Sequence, residues 1–112
     1  MTKYLLLYRS ALSAQDQMAN ATAEQAQAGM DAWMVWAGKA GSAITDMGSP
    51  TQTVATIGDG PATPGFVGGY SLMEAETTEA LTALLDGHPH LMMPGNAIEV
   101  CEMLPMPGMG EG

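Results

Sequence analysis

The chain has 112 residues, 46% of them hydrophobic, with 12 acidic residues against three basic ones and a formal charge of −9. That length and apolar content suit one folded domain and exclude a disordered chain. The charge excludes the clustered basic surface that nucleic acid or an anionic membrane requires.

Tyr4 to Tyr8 is a short apolar run between Lys3 and Arg9, and it predicts a strand. The run does not alternate, so both of its faces are expected to be covered. Residues 10–21 are rich in Ser, Ala, Gln and Asn and read as a loop with room for a helical turn. A helix is predicted from Thr22 to Ala40, with Thr22 and Gln25 as a capping box. Its expected core stripe is Ala26, Met30, Trp33, Ala37 and Ala40, widened by Met34 and Trp36. Lys39 suits the last turn, and Gly41 suits the C-terminal cap.

Ala43 to Met47 predicts a strand ending at the turn Gly48-Ser49-Pro50, and Thr53 to Ile57 a second extended piece. Gly58 to Pro61 and Pro64-Gly65 mark an exposed loop. Phe66 to Ala75 predicts a further strand, in which Gly68 and Gly69 suggest a bulge or a close backbone approach. Thr77 can cap a helix running through Asp86 that buries Ala80, Leu81, Leu84 and Leu85. Ala97 to Leu104 alternates, with Ile98, Val100 and Leu104 on one side and Glu99, Cys101 and Met103 on the other. Residues 1–104 thus form one expected domain, followed by a loose Pro-, Gly- and Met-rich tail over 105–112.

This order predicts an α+β fold, a ferredoxin-like βαββαβ arrangement with an antiparallel sheet and two helices on one face. Two helices cover only one face of such a sheet. A second copy covering the other is the simplest completion, so a homodimer with sheets face to face is expected. The opening segment is too short and too soon charged for a signal peptide, and no stretch reaches membrane-spanning length. The single Cys101 can form no intrachain disulfide. A soluble, cytoplasmic protein with neither membrane nor nucleic-acid partners is expected.

The strongest chemical signal is Gly87-His88-Pro89-His90-Leu91, which holds both histidines of the chain. Histidine changes charge nearest neutral pH, so either ring is a candidate general base or acid. The bland alternative is that both rings bond to backbone and close the loop. His-x-His can also begin a metal site, but Cys101, Asp46 or Asp59 would have to complete it, and no second ligand pair stands at a recognisable spacing. No metal and no cofactor are therefore expected. Asp46, at a strand end beside Gly48, is the better-placed carboxylate; Asp59 reads as turn chemistry. Arg9 can grip a carboxylate or pair with an acidic neighbour. Tyr8, Tyr70, Ser49 and Trp36 complete the candidate binding set, and Cys101 reads as inert. No phosphate loop, nucleophile elbow or zinc-protease histidine pair is present.

The segments Lys3-Tyr4-Leu5-Leu6-Leu7-Tyr8, Gly48-Ser49-Pro50, Asp59-Gly60-Pro61, Gly68-Gly69-Tyr70-Ser71-Leu72, Gly87-His88-Pro89-His90-Leu91 and Ile98-Glu99-Val100 together resemble a YCII-related protein. Ala62 departs from the branch of that family named for Asp-Gly-Pro-Phe. The resemblance implies a dimeric α+β barrel and acid–base chemistry through a His–Asp pair. Here that pair would be His88 or His90 with Asp46. Two functions follow: an enzyme isomerising or eliminating on a small organic acid or lactone, with Arg9 holding an anion, or a non-catalytic small-molecule-binding module with structural histidines.

Overall fold

A computed structural model describes residues 1–61 and 65–105, so the tail beyond Pro105 lies outside the described residues. The elements are β1 (Thr2–Ser10), α1 (Ala14–Asn20), α2 (Ala23–Ala40), β2 (Ile44–Asp46), β3 (Phe66–Ala75), α3 (Thr78–Leu84) and β4 (Ala97–Glu102). They build a four-stranded sheet in the order β2-β3-β1-β4, and every neighbouring pair is antiparallel. This is the α+β, ferredoxin-like class expected from the order of elements, with α1 added.

The run of apolar residues in β1 does not alternate, but its burial does. Tyr4, Leu6, Tyr8 and Ser10 are buried, and the residues between them are not. Met73 and Ala75 of β3 join the same face, under Trp36 and Ala40 of α2 and Leu81 and Leu85 at α3. Leu5, Leu7 and Leu72 lie on the other face, half-buried and outside the core cluster. One chain therefore buries its core on one face of the sheet only.

Helix α2 begins as its sequence dictates. The Thr22 side chain accepts from the Gln25 amide, and the Gln25 side chain accepts from the Thr22 amide. Its buried stripe is rotated from the expected one. Trp36 and Ala40 are buried and Trp33 and Ala37 half-buried, whereas Ala26, Met30 and Met34 are exposed. The cause is α3, against which Trp36 turns to donate from Nε1 to the Leu84 carbonyl at 2.8 Å.

Four further expectations change. The stretch 10–21 holds α1, started by Ser13, whose hydroxyl accepts from the Asp16 amide at 3.1 Å. Thr53–Ile57 forms no strand: only Pro50 bridges to Gly69, and past Thr51 the segment has no sheet partner. Strand β4 ends at Glu102, so Leu104 is exposed rather than on the apolar side. At α3, Thr77 caps as expected, accepting from the Ala80 amide at 3.0 Å, while Ala80 itself is exposed.

Candidate functional site

The two histidines do opposite things. His88 is wholly buried, and its Nδ1 accepts a hydrogen bond from the His90 amide at 3.0 Å. An accepting Nδ1 carries no proton, so the neutral ring carries it on Nε2. That Nε2 is buried with no hydrogen-bond partner. Aromatic rings surround it instead: Trp36 at 4.2 Å, Trp33 perpendicular at 4.5 Å and Tyr8 at 5.2 Å between centroids. Burial, with a smaller contribution from His90, lowers the His88 pKa to about 4. At neutral pH His88 is therefore an uncharged clip that caps the 3-10 turn Pro89–Met92.

His90 lines a cleft. Its Nε2 lies 2.9 Å from the Arg9 carbonyl and 3.1 Å from the Ala97 carbonyl. Both oxygens only accept, so Nε2 carries the proton and donates to them. The Asn96 amide group donates to the His90 carbonyl at 3.0 Å and reaches Nδ1 at 3.5 Å. The ring is thus fixed in one tautomer, with Nδ1 as its basic atom. The last rung between β1 and β4, where Arg9 faces Ala97, supplies the two carbonyls.

The cleft encloses about 440 Å³ between the end of the sheet and the outer face of α2. Tyr8, Trp33 and His90 form its floor, with Met30, Met34, Met47 and Tyr70 around them and backbone at Gly48–Pro50 and Gly68–Gly69. The Tyr8 hydroxyl donates to Ser71 Oγ at 2.8 Å, and Ser71 Oγ donates to the Met47 carbonyl at 2.7 Å. Burial raises the Tyr8 pKa, and the Ser71 hydrogen bond offsets this only in part. Tyr8 therefore stays a neutral phenol whose oxygen can still accept.

The rim is held by one close approach. Gly48 has φ +78°, and a Cβ there would overlap the Tyr70 carbonyl. Asp46 accepts from the Gly48 amide at 2.8 Å and so makes this turn. Pro50 pairs with Gly69, and the Thr51 amide donates to the Gly68 carbonyl at 3.0 Å.

Of the residues singled out from sequence, the structure brings Tyr8, Ser49, Tyr70 and His90 into one cleft. The others lie elsewhere. His88 is behind the cleft wall. Asp46 is spent on its turn, with no hydrogen bond or ion pair to either histidine. Arg9 pairs with Glu99 at 3.5 Å and is not among the lining residues. Trp36 is buried between α2 and α3. No three His, Cys, Asp or Glu side chains converge as a metal site among the described residues. Cys101 sits on β4, its pKa raised by burial and by the Glu99 carboxylate, which disfavours a thiolate.

Sequence reasoning missed Gln17, Met30, Trp33, Met34 and Met47 as lining residues. The signal existed for three of them: Met30, Trp33 and Met34 share the i, i+3, i+4 spacing of one helix face. Met30 and Met34 on that face meet the cleft alone, and Trp33 meets both the cleft and the core.

No family model matches the chain, and no curated protein matches it. Among solved structures, the chain is similar to 5-chloro-2-hydroxyhydroquinone dehydrochlorinase (TftG) from Burkholderia phenoliruptrix AC1100, determined in complex with 2,5-dihydroxybenzoquinone. The match has 18% identity and a TM-score of 0.46, covering 88% of this chain and 91% of that one. No helix among the described residues is long and apolar enough to cross a membrane.

Proposed function

We propose that the cleft binds a small, neutral, ring-shaped organic molecule, and that the protein works as a symmetric homodimer with one such cleft per protomer. The observation that carries the ligand class is the lining itself. Among the described residues it holds two tyrosines, a tryptophan and three methionines, and no Lys, Arg, Asp or Glu. Aromatic and thioether walls favour a flat apolar body. The volume is in the range of ligand sites, which are ~300–1,000 Å³. Five polar side chains are available to orient it: Tyr8, Gln17, Ser49, Tyr70 and His90. With a chain charge of −9 and no Lys or Arg on the wall among the described residues, an organic acid fits this cleft less well than a lactone or a phenol.

Titration calorimetry with phenol, a γ-lactone and benzoate tests this. The neutral probes are expected to bind and benzoate to bind at least ~10-fold more weakly, the factor set by burying a charge without a partner. Tighter binding of benzoate would reverse the assignment of ligand charge, and no binding of any probe would remove the ligand role.

One observation favours a second, catalytic reading. The two carbonyls fix His90 as the Nε2–H tautomer, the orienting task that the resemblance to YCII-related proteins would give to Asp46. His90 Nδ1 would then take a proton from a carbon next to the ligand's carbonyl, in an isomerisation or elimination. Arg9, Asp46 and His88 would have no direct part. Loss of such turnover in His90→Gln, with probe affinity reduced far less than turnover, separates catalysis from binding. A cytoplasmic setting belongs to the same proposal, since Cys101 is a free thiol and a reducing compartment keeps it so.

A further inference from the structure

We infer that residues 51–57 form an arm that leaves the rim of the cleft and packs on the open sheet face of a second copy of this chain. The inference rests on the dimer proposed above and adds the segment that fastens it. Past Thr51 the chain makes no hydrogen bond up to Pro61 among the described residues. Its two large apolar side chains are almost bare, Val54 at 90% and Ile57 at 96% exposure. Two such residues stand out because residues 51–58, Thr-Gln-Thr-Val-Ala-Thr-Ile-Gly, contain no charge and no proline. A bare, uncharged, β-prone segment with free backbone groups promotes aggregation unless something covers it.

The same chain carries the complementary deficit. Leu5, Leu7 and Leu72 lie on the sheet face that no part of the core covers. A twofold dimer satisfies both needs with one operation, each arm reaching the other protomer's sheet. The dimensions allow it. Packed sheets stand ~10 Å apart, and seven extended residues reach ~23 Å. The arm is rooted at the sheet edge itself, where Pro50 bridges to Gly69. Because the segment is uncharged, its burial removes no charge from water.

Sedimentation equilibrium on the full chain and on the Val54→Asp/Ile57→Asp double variant tests the inference, with far-UV circular dichroism as the folding control. The wild type is expected to be a dimer. The variant is expected to keep its fold and to show a dimer dissociation constant raised by ~100-fold or more. A wild-type dimer with an unchanged constant in the variant overturns the arm and leaves the dimer standing. A wild type that is monomeric throughout overturns both. A variant that dimerises normally but loses phenol binding also overturns the arm, assigning the segment to its own cleft. Should the variant misfold, hydrogen exchange on the wild type decides. Protection of amides 52–57 that disappears on dilution supports the arm, and free exchange in the dimer overturns it.

Discussion

His88 illustrates how one ring can be indispensable to the fold and remote from chemistry. Its neutral form is required by the His90 amide its Nδ1 accepts from and by its complete burial. With a folded pKa of about 4, below the 6.5 of an unperturbed histidine, its contribution is fully present above pH 6.5. As pH falls from there towards 4, the unfolded chain gains a proton that the folded chain refuses, and the stability drains away. The loss amounts to about 3 kcal/mol once both states are protonated. In urea titrations between pH 7 and pH 3.5, His88→Asn is expected to be less stable than wild type at pH 7, with a gap that closes on acidification. A gap constant with pH would show that His88 does not titrate in this window. Both histidines were legible in the sequence as a pair worth attention, but their division of labour was not. It depends on which ring the turn at Pro89 sends inward, and no spacing records that. The sequence left Arg9 open between holding an anion and pairing with an acidic neighbour, and it could not place Asp46, for a similar reason. A strand residue's face follows from register, and Arg9 shares the side of Leu5 and Leu7, away from Tyr8.

The helices and turns were read with uneven success, and the physical reasons differ. The start of α2 was legible because its cap is local, closed by Thr22 and Gln25 alone. Helix α1 was missed although Ser13 and Asp16 have capping spacing, because its composition offers no apolar stripe to go with the cap. The strand expected at Thr53–Ile57 failed because an extended segment needs a partner edge, and this chain provides one only as far as Thr51. Turn Gly48-Ser49-Pro50 was anticipated, but not its role in carrying the chain on along the edge of β3 to form the cleft rim. Gly48→Ala tests that role. Positive φ costs ~1–2 kcal/mol for a residue with a Cβ, and overlap with the Tyr70 carbonyl adds to it. The expected result is a destabilisation of ~2–4 kcal/mol in denaturant titrations, together with weakened phenol binding. Unaltered stability would mean that the close approach of Gly48 to β3 is readily relieved.

The ferredoxin-like class was legible because it depends only on the sequence of elements and on the right-handed crossovers such a sheet requires. Association is a different matter, since it depends on surfaces that a single chain leaves open. A protomer with a formal charge of −9 repels its copy. Raising ionic strength from 0.01 M to 0.15 M shortens the screening length from ~30 Å to ~8 Å. The proposed dimer is therefore expected to tighten with salt, by a few-fold in sedimentation experiments. Salt-induced dissociation would instead point to an interface built on ion pairs such as Arg9–Glu99, one partner of which is half exposed.

The aromatic box around His88 also gives the protein an optical property. Both tryptophans of the chain, Trp33 and Trp36, stand directly against that one imidazole. A charged imidazole draws an electron from an excited indole, whereas a neutral one does so poorly. In the folded protein the ultraviolet emission is therefore expected to dim when that proton arrives, and no dye or label is needed to follow it.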